Sequence, residues 1–71
     1  MNRYQIATTN NPAEALRKWN HARGFIWAET AKSAAYAYRS GLGLRGDVIG
    51  QGVAADFLYF AFPDGMRVRA C

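Results

Sequence analysis

The stretch FLYFAFPDGMRVRAC, residues 57–71, predicts a β-hairpin, and this hairpin decides the fold. Pro63 suits the second position of a tight turn, Asp64 the third, and Gly65 the left-handed position that follows. If Phe62 pairs with Met66, alternate side chains point to opposite faces. The face that we expect to be buried holds Leu58, Phe60, Phe62, Met66, Val68 and Ala70. The face that we expect to be open holds Phe57, Tyr59, Ala61, Arg67 and Arg69.

Upstream of the hairpin, the stretch AKSAAYAYRSG, residues 31–41, alternates like a strand over four residues but is better explained as a helix. Thr30 is a good N-cap, Gly41 is a good stop, and four alanines favour a helix between them. Helical spacing gives an apolar stripe of Ala31, Ala34, Ala35 and Tyr38. We expect the alanines to lie close against the sheet. We expect an outward-facing second stripe of Lys32, Tyr36 and Arg39.

Further strands are predicted on both sides of this helix. RYQIAT (3–8) alternates, and FIWAE (25–29) is rich in aromatic and β-branched residues. A glycine-rich segment with G-x-G-x-x-G spacing follows the helix and leads into a strand around 47–51. The dinucleotide-binding fingerprint needs the reverse order, a strand before and a helix after, so we reject it and assign the glycines to turns.

The connection between the first two strands is predicted to be a second helix. Asn11 and Glu14 have the spacing of a capping box, and Pro12 suits the first helical position. With Gly24 as its end, this helix covers about residues 12–23. An irregular connection is the alternative.

Together these elements predict one α+β domain over residues 1–71. A mainly antiparallel sheet of four to five short strands, with the C-terminal hairpin, packs against one or two helices. The hydrophobic content of 51% excludes a disordered tail.

The net charge is +4, and seven of the nine cationic residues are arginines, which favour phosphate, carboxylate and aromatic contacts. The charge predicts an anionic partner, with solubility as the equal alternative.

The sequence offers no set of residues for chemistry. The single histidine, His21, and the single cysteine, Cys71, exclude an internal disulfide and argue against structural zinc. No nucleophile–base pair is apparent, so we expect no enzyme, no cofactor and no metal. The polar N-terminus and the lack of a long apolar run predict a cytoplasmic protein without a signal peptide or membrane span.

Two basic-aromatic groupings are therefore the candidate partner-binding residues. One is on the helix (Lys32, Tyr36, Arg39) and one on the open sheet face (Tyr59, Arg67, Arg69), and Arg45 lies in the loop between them. Such groups stack on bases and meet phosphates, or form protein-interface hot spots. The alternative is that the tyrosines half-bury and the arginines extend over the sheet.

The order of these parts resembles that of small phage-encoded anti-CRISPR proteins that inhibit type I (Cascade) complexes, most of all an inhibitor of the subtype I-F complex. The parts are RYQIATTN, FIWAET, AKSAAYAYRS, RGDVIGQ and FLYFAFPDGMRVRAC, which cover most of the chain. The resemblance implies a non-enzymatic inhibitor in the infected host's cytoplasm, which binds Cas proteins of the complex and blocks target DNA. It implies that the helix after AET makes the contact, through Lys32, Tyr36 and Arg39.

This sequence departs from that pattern in having only two cations on the helix and a longer N-terminal connection. The alternative function is a small basic nucleic-acid-binding domain that contacts DNA or RNA directly through Tyr59, Arg67 and Arg69. We expect a monomer, with a dimer through an exposed sheet edge as the alternative.

Overall fold

The computed structural model describes residues 1–11, 13–15 and 18–71. These residues form β1 (Asn2–Tyr4), β2 (Ile6–Thr9), β3 (Asn20–His21), β4 (Ile26–Ala28), α1 (Ala31–Gly41), β5 (Gly50–Ala54), β6 (Phe57–Ala61) and β7 (Arg67–Ala70). Five strands form an antiparallel sheet in the order β3-β2-β7-β6-β5, and β1 and β4 form a separate antiparallel ribbon. The predicted α+β class is confirmed.

The C-terminal hairpin has the predicted register. The Phe62 amide donates to the Met66 carbonyl at 3.0 Å, and Gly65 adopts the left-handed conformation with φ +93°. The predicted core face is buried at Phe60, Phe62, Val68 and Ala70. The prediction is wrong for Leu58, which is 42% exposed: its partner across the sheet is Val53 of the edge strand, which is itself 66% exposed.

The predicted helix is confirmed as α1. The Thr30 hydroxyl accepts a hydrogen bond from the Ser33 amide at 3.1 Å, and the Ser33 hydroxyl accepts one from the Thr30 amide at 3.2 Å. This reciprocal capping box fixes the start of the helix. Ala34 and Ala35 are fully buried, so α1 packs closely on β4, β6 and β7 through the alanine stripe. The core lies between them and consists of Ile6, Ala28, Ala34, Ala35, Phe60, Phe62, Val68 and Ala70.

The predicted first strand is divided at Gln5. The segment before it pairs with β4 in the ribbon, whereas the segment after it pairs with β7 and β3 in the large sheet. Gln5 itself exchanges two backbone hydrogen bonds with Cys71, at 2.8 and 3.1 Å. The chain therefore crosses from one sheet to the other at this residue.

The predicted helix over residues 12–23 is wrong for the residues that the structure describes. Ala13 lies in a turn, and Asn20–His21 form β3 against β2. The Asn11 carboxamide caps only that turn, because it accepts from the Ala13 amide and donates to the Glu14 carboxylate. The parts of this prediction that fall on residues 12, 16 and 17 lie outside the described residues. The irregular connection is the correct alternative for the others.

The strand expected around residues 47–51 begins three residues later, as β5. The Val48 amide donates at 2.9 Å to the Tyr36 hydroxyl instead of to a neighbouring strand. The next amide, that of Ile49, donates to the Ala61 carbonyl of β6 at 2.8 Å, and β5 begins at Gly50. In the described residues, no helix has the length and apolar character needed to cross a membrane.

Candidate partner-binding surface

Arg39 is the predicted contact residue whose position the structure contradicts most clearly, because it is buried with only 1% of its surface exposed. Its two terminal nitrogens contact the two carboxylate oxygens of Asp64, at 3.1 and 3.0 Å, and Nη2 also donates to the Arg45 carbonyl at 2.9 Å. Its Cζ lies 4.0 Å from the centre of the Phe62 ring. Arg39 therefore joins the helix, the following loop and the hairpin turn, and it does not face outward.

Tyr36 belongs to the same interior group. Its ring is half-buried and meets the Phe62 ring edge-on, with 5.6 Å between the ring centres. Its hydroxyl oxygen accepts a hydrogen bond from the Val48 amide. We call Tyr36, Arg39, Phe62 and Asp64 the Arg39 cluster. The expectation of an outward-facing helix stripe is therefore wrong except at Lys32, which is exposed, as is Arg45 in the loop.

The Arg39 cluster makes the stability of the fold depend on pH. Hydrogen bonds from the Arg39 guanidinium, and then from the Met66 amide, hold the pKa of Asp64 below its ordinary value of 3.8. A carboxyl whose pKa is lower in the folded than in the unfolded chain stabilises the fold above the unfolded pKa. That contribution is lost as the pH falls through the folded pKa.

We therefore expect Asp64→Asn to flatten the fall in urea midpoint as the pH is lowered from about 5 to about 2. The measurement is urea denaturation across this range for the wild type and the variant. Asp47→Asn removes an exposed carboxylate outside the Arg39 cluster and is the matched control. A wild-type pH profile in Asp64→Asn would contradict the role of the ion pair.

The second predicted grouping, on the sheet, is brought together as expected. Arg67 lies over the Tyr59 ring at 5.5 Å, and Arg69 over the Phe57 ring at 5.4 Å. The face is not open, however, because the buried Trp19 meets Tyr59 edge-on, with 6.0 Å between ring centres. Tyr59, Arg67 and Arg69 are all half-buried, as the alternative of arginines extending over the sheet describes.

Sequence reasoning missed the most exposed aromatic surface, which lies on the ribbon. Arg3 pairs with Trp27 across β1 and β4, and Arg3 Cζ lies 4.2 Å from the centre of the Phe25 ring. Trp27 is 62% exposed and Phe25 52% exposed. We call Arg3, Phe25 and Trp27 the ribbon surface. The alternation in FIWAE already indicates that Phe25 and Trp27 share a face, but not that this face is uncovered.

Positive charge is present in the chain segments on both sides of the ribbon surface. Arg23 is exposed just before Phe25, and Lys32 is exposed in the first turn of α1, four residues after β4 ends. Glu29 is the acidic residue in this segment, and its backbone carbonyl accepts a bond from the Asn2 side chain at 3.3 Å. The surface is therefore aromatic with basic flanks.

Small-molecule and metal sites are weakly supported by the geometry of the described residues. A shallow cavity of about 220 Å³ lies at the hairpin turn and is lined by Asn10, Ile49, Ala61, Phe62, Gly65 and Arg67. Ligand pockets usually have volumes of about 300 to 1,000 Å³. Within residues 1–11, 13–15 and 18–71, no three metal-binding side chains come together.

These features define a small α+β domain with one exposed cation–aromatic surface on the ribbon, the interior Arg39 cluster, and a half-buried cation–aromatic grouping on the sheet. Comparison of the chain with protein-family models, curated proteins and solved structures finds no match in any of the three.

Proposed function

We propose that this protein is a non-enzymatic inhibitor that binds Cas proteins of a type I CRISPR surveillance complex through the ribbon surface and so blocks target DNA binding. The observation that carries the proposal is the exposure of Phe25 and Trp27 beside Arg3. The order of strands, helix and hairpin supports it, because the resemblance to type I inhibitors rests on that order.

The ribbon surface has the composition of an interface hot spot. Tryptophan and arginine are the residues that most often dominate binding energy, because their large side chains lose water on contact. Trp27 keeps 62% of its surface exposed to solvent. The arginine held against Phe25 supplies a charge that fits an acidic group of the partner.

The proposal moves the expected contact from the middle of α1 to the ribbon. Of the three helix residues expected to make it, only Lys32 keeps an exposed side chain, and it lies at the end of α1 next to β4. A partner seated on the ribbon would meet Lys32 at its rim. Rim charges act mainly on the rate and salt dependence of association.

The test is co-elution of the protein with purified type I surveillance complexes of several subtypes, together with a target DNA binding assay. We expect co-elution with at least one subtype and loss of its DNA binding. Trp27→Ala should weaken binding to the complex at least about tenfold, as hot-spot truncations do. Binding by Trp27→Ala at the wild-type affinity would contradict the ribbon surface as the contact.

The matched control is Leu42→Ala, which also truncates a large exposed apolar side chain but lies in the segment after α1. It should inhibit like the wild type. Thermal unfolding of both variants checks that neither loses its fold. A protein that co-elutes with no subtype would overturn the proposed function as a whole.

Direct nucleic-acid binding is the second candidate, and the spacing of the two rings favours it. Phe25 immediately precedes β4 and Trp27 lies within it, and strand spacing over these two residues would put the two rings roughly 7 Å apart on one face. Rings on one face with basic neighbours suit stacking on successive bases of a single strand. This candidate predicts binding to single-stranded DNA alone, which weakens steeply with salt. No binding at low salt would exclude it.

A further inference from the structure

The longest free strand edge in the described residues is that of β5. It closes one end of the five-stranded sheet, pairs only with β6, and spans Gly50–Ala54. The edge at the other end, β3, has two residues. Native sheets usually protect an edge with lysine, proline, a bulge or a covering element. The sequence of β5, GQGVA, contains neither a charged residue nor a proline.

An apolar patch lies beside this edge. Val53 is 66% exposed and pairs across the sheet with Leu58, which is 42% exposed. Ile49, just before the other end of β5, is also exposed, at 70%. Isolated exposed apolar residues are ordinary, whereas an exposed cross-strand pair beside an unprotected strand edge indicates a contact surface. This patch is separate in the fold from the ribbon surface, because β1 and β4 belong to the other sheet.

We propose that β5 pairs antiparallel with β5 of a second copy of this chain, so that two five-stranded sheets become one continuous sheet across a twofold axis. Such an interface uses the same strand from both copies and therefore needs a self-compatible edge. β5 meets that need because it is uncharged along its whole length. Two copies of a protein with net charge +4 can then approach without bringing like charges into the paired strands.

The distribution of charge argues for a second copy over a strongly charged partner at this edge. The sheet arginines, Arg67 and Arg69, lie on β7, two strands away. The nearest acids, Asp47 and Asp56, lie outside the strand at its two ends. The pairing strands therefore offer backbone groups and uncharged side chains, of which Gln51 is polar and Val53 is apolar. A neutral, partly apolar edge is complementary to itself and offers little to a charged strand.

The size of the interface predicts that the dimer is weak. One pair of five-residue strands and a few apolar side chains bury less than the approximately 1,200 Å² of total surface found at the low end of stable interfaces. We therefore expect association to depend on concentration, with a dissociation constant between about 10 µM and about 1 mM.

Sedimentation equilibrium over that concentration range tests the proposal. We expect the weight-average mass to rise from 7.9 kDa toward twice that value. Val53→Lys places a charge at the edge and should weaken the association at least about tenfold. Ala37→Lys adds the same charge at an exposed helix position and should dimerise like the wild type. Wild-type protein that stays at 7.9 kDa up to about 1 mM, or Val53→Lys that dimerises with wild-type affinity, would overturn the proposal.

Amide hydrogen exchange of the wild-type protein is a second measurement, and it does not depend on whether Val53→Lys folds. Amide protons of β5 that point away from β6 should exchange more slowly with solvent as the wild-type concentration rises. Dimerisation with unchanged exchange at β5 would overturn the β5 interface. This outcome is distinguishable from failure of the proposed function, because neither measurement involves a surveillance complex or DNA.

Discussion

Replacing Arg39 with methionine is expected to lower the free energy of unfolding by about 3 kcal/mol. Methionine has a similar length, so the variant removes the charge and the hydrogen bonds while keeping much of the apolar stem. Asp64 then loses its ion pair and the Arg45 carbonyl loses its donor. The value is at the lower end of the range for broken buried pairs, because the Asp64 side chain keeps 40% exposure to water.

The measurement is the urea midpoint at neutral pH, converted with the slope of the transition. Lys32→Met is the matched control, since it removes a cation from an exposed position of the same helix and should change stability by less than about 0.5 kcal/mol. Arg39→Lys should restore only part of the loss, because an ammonium cannot reproduce the two-nitrogen contact with the carboxylate. Equal effects of Arg39→Met and Lys32→Met would contradict the burial of Arg39.

The second large effect is expected at Gly52, which faces Tyr59 across β5 and β6. A Cβ atom at this position would lie 2.6 Å from the Tyr59 hydroxyl oxygen and 2.7 Å from two ring carbons. Real Cβ atoms essentially never approach so closely, so the tyrosine ring, which packs edge-on against Trp19, must shift. We expect Gly52→Ala to lower the free energy of unfolding by about 2 kcal/mol, as overpacking does.

Gly50→Ala is an unusually close control. The same change at the first residue of the same strand meets no atom within 4 Å, so it reduces the freedom of the unfolded chain without introducing a clash. A double-mutant cycle separates the contact from the backbone effect. The cost of Gly52→Ala should vanish when Tyr59 is already alanine. A cost that persists there, or one equal in Gly50→Ala, would contradict the packing of Tyr59 over Gly52.

Local patterns in the sequence were sufficient for the hairpin and the helix. The turn residues Pro63, Asp64 and Gly65 fix the register of β6 and β7, and the cap at Thr30 fixes the start of α1. Both depend on residues close together in the chain. The segment around Trp19 was predicted wrongly because contacts distant in sequence decide it, namely the pairing of β3 with β2 and the packing of Trp19 on Tyr59.

The candidate surface was harder to predict for a related physical reason. Helical periodicity places Lys32, Tyr36 and Arg39 on one stripe, but it does not distinguish a solvent-facing guanidinium from a buried one. That distinction depends on Asp64, 25 residues away, whose carboxylate makes burial of Arg39 tolerable. The sequence does contain one indication: Asp64 lies in the predicted turn, where its carboxylate could pair with a cationic side chain of the helix.

The ribbon surface escaped prediction because the alternation in RYQIAT predicts a single strand. The division at Gln5 sends β1 to β4, and only this pairing brings Arg3 beside Trp27. An alternation pattern cannot reveal that the neighbouring strand changes within six residues. The same limit applies to Leu58, whose exposure follows from the position of β5 at the sheet edge.

The most direct test of the ribbon surface as the partner contact is hydroxyl-radical footprinting of the protein, free and mixed with a type I surveillance complex. Trp27 and Leu42 are both more than half exposed in the free protein, whereas Trp19 is buried and serves as the internal reference. We predict that oxidation of Trp27 slows several-fold in the complex while that of Leu42 is unchanged. An unchanged rate at Trp27 in a protein that is bound to the complex would contradict the account.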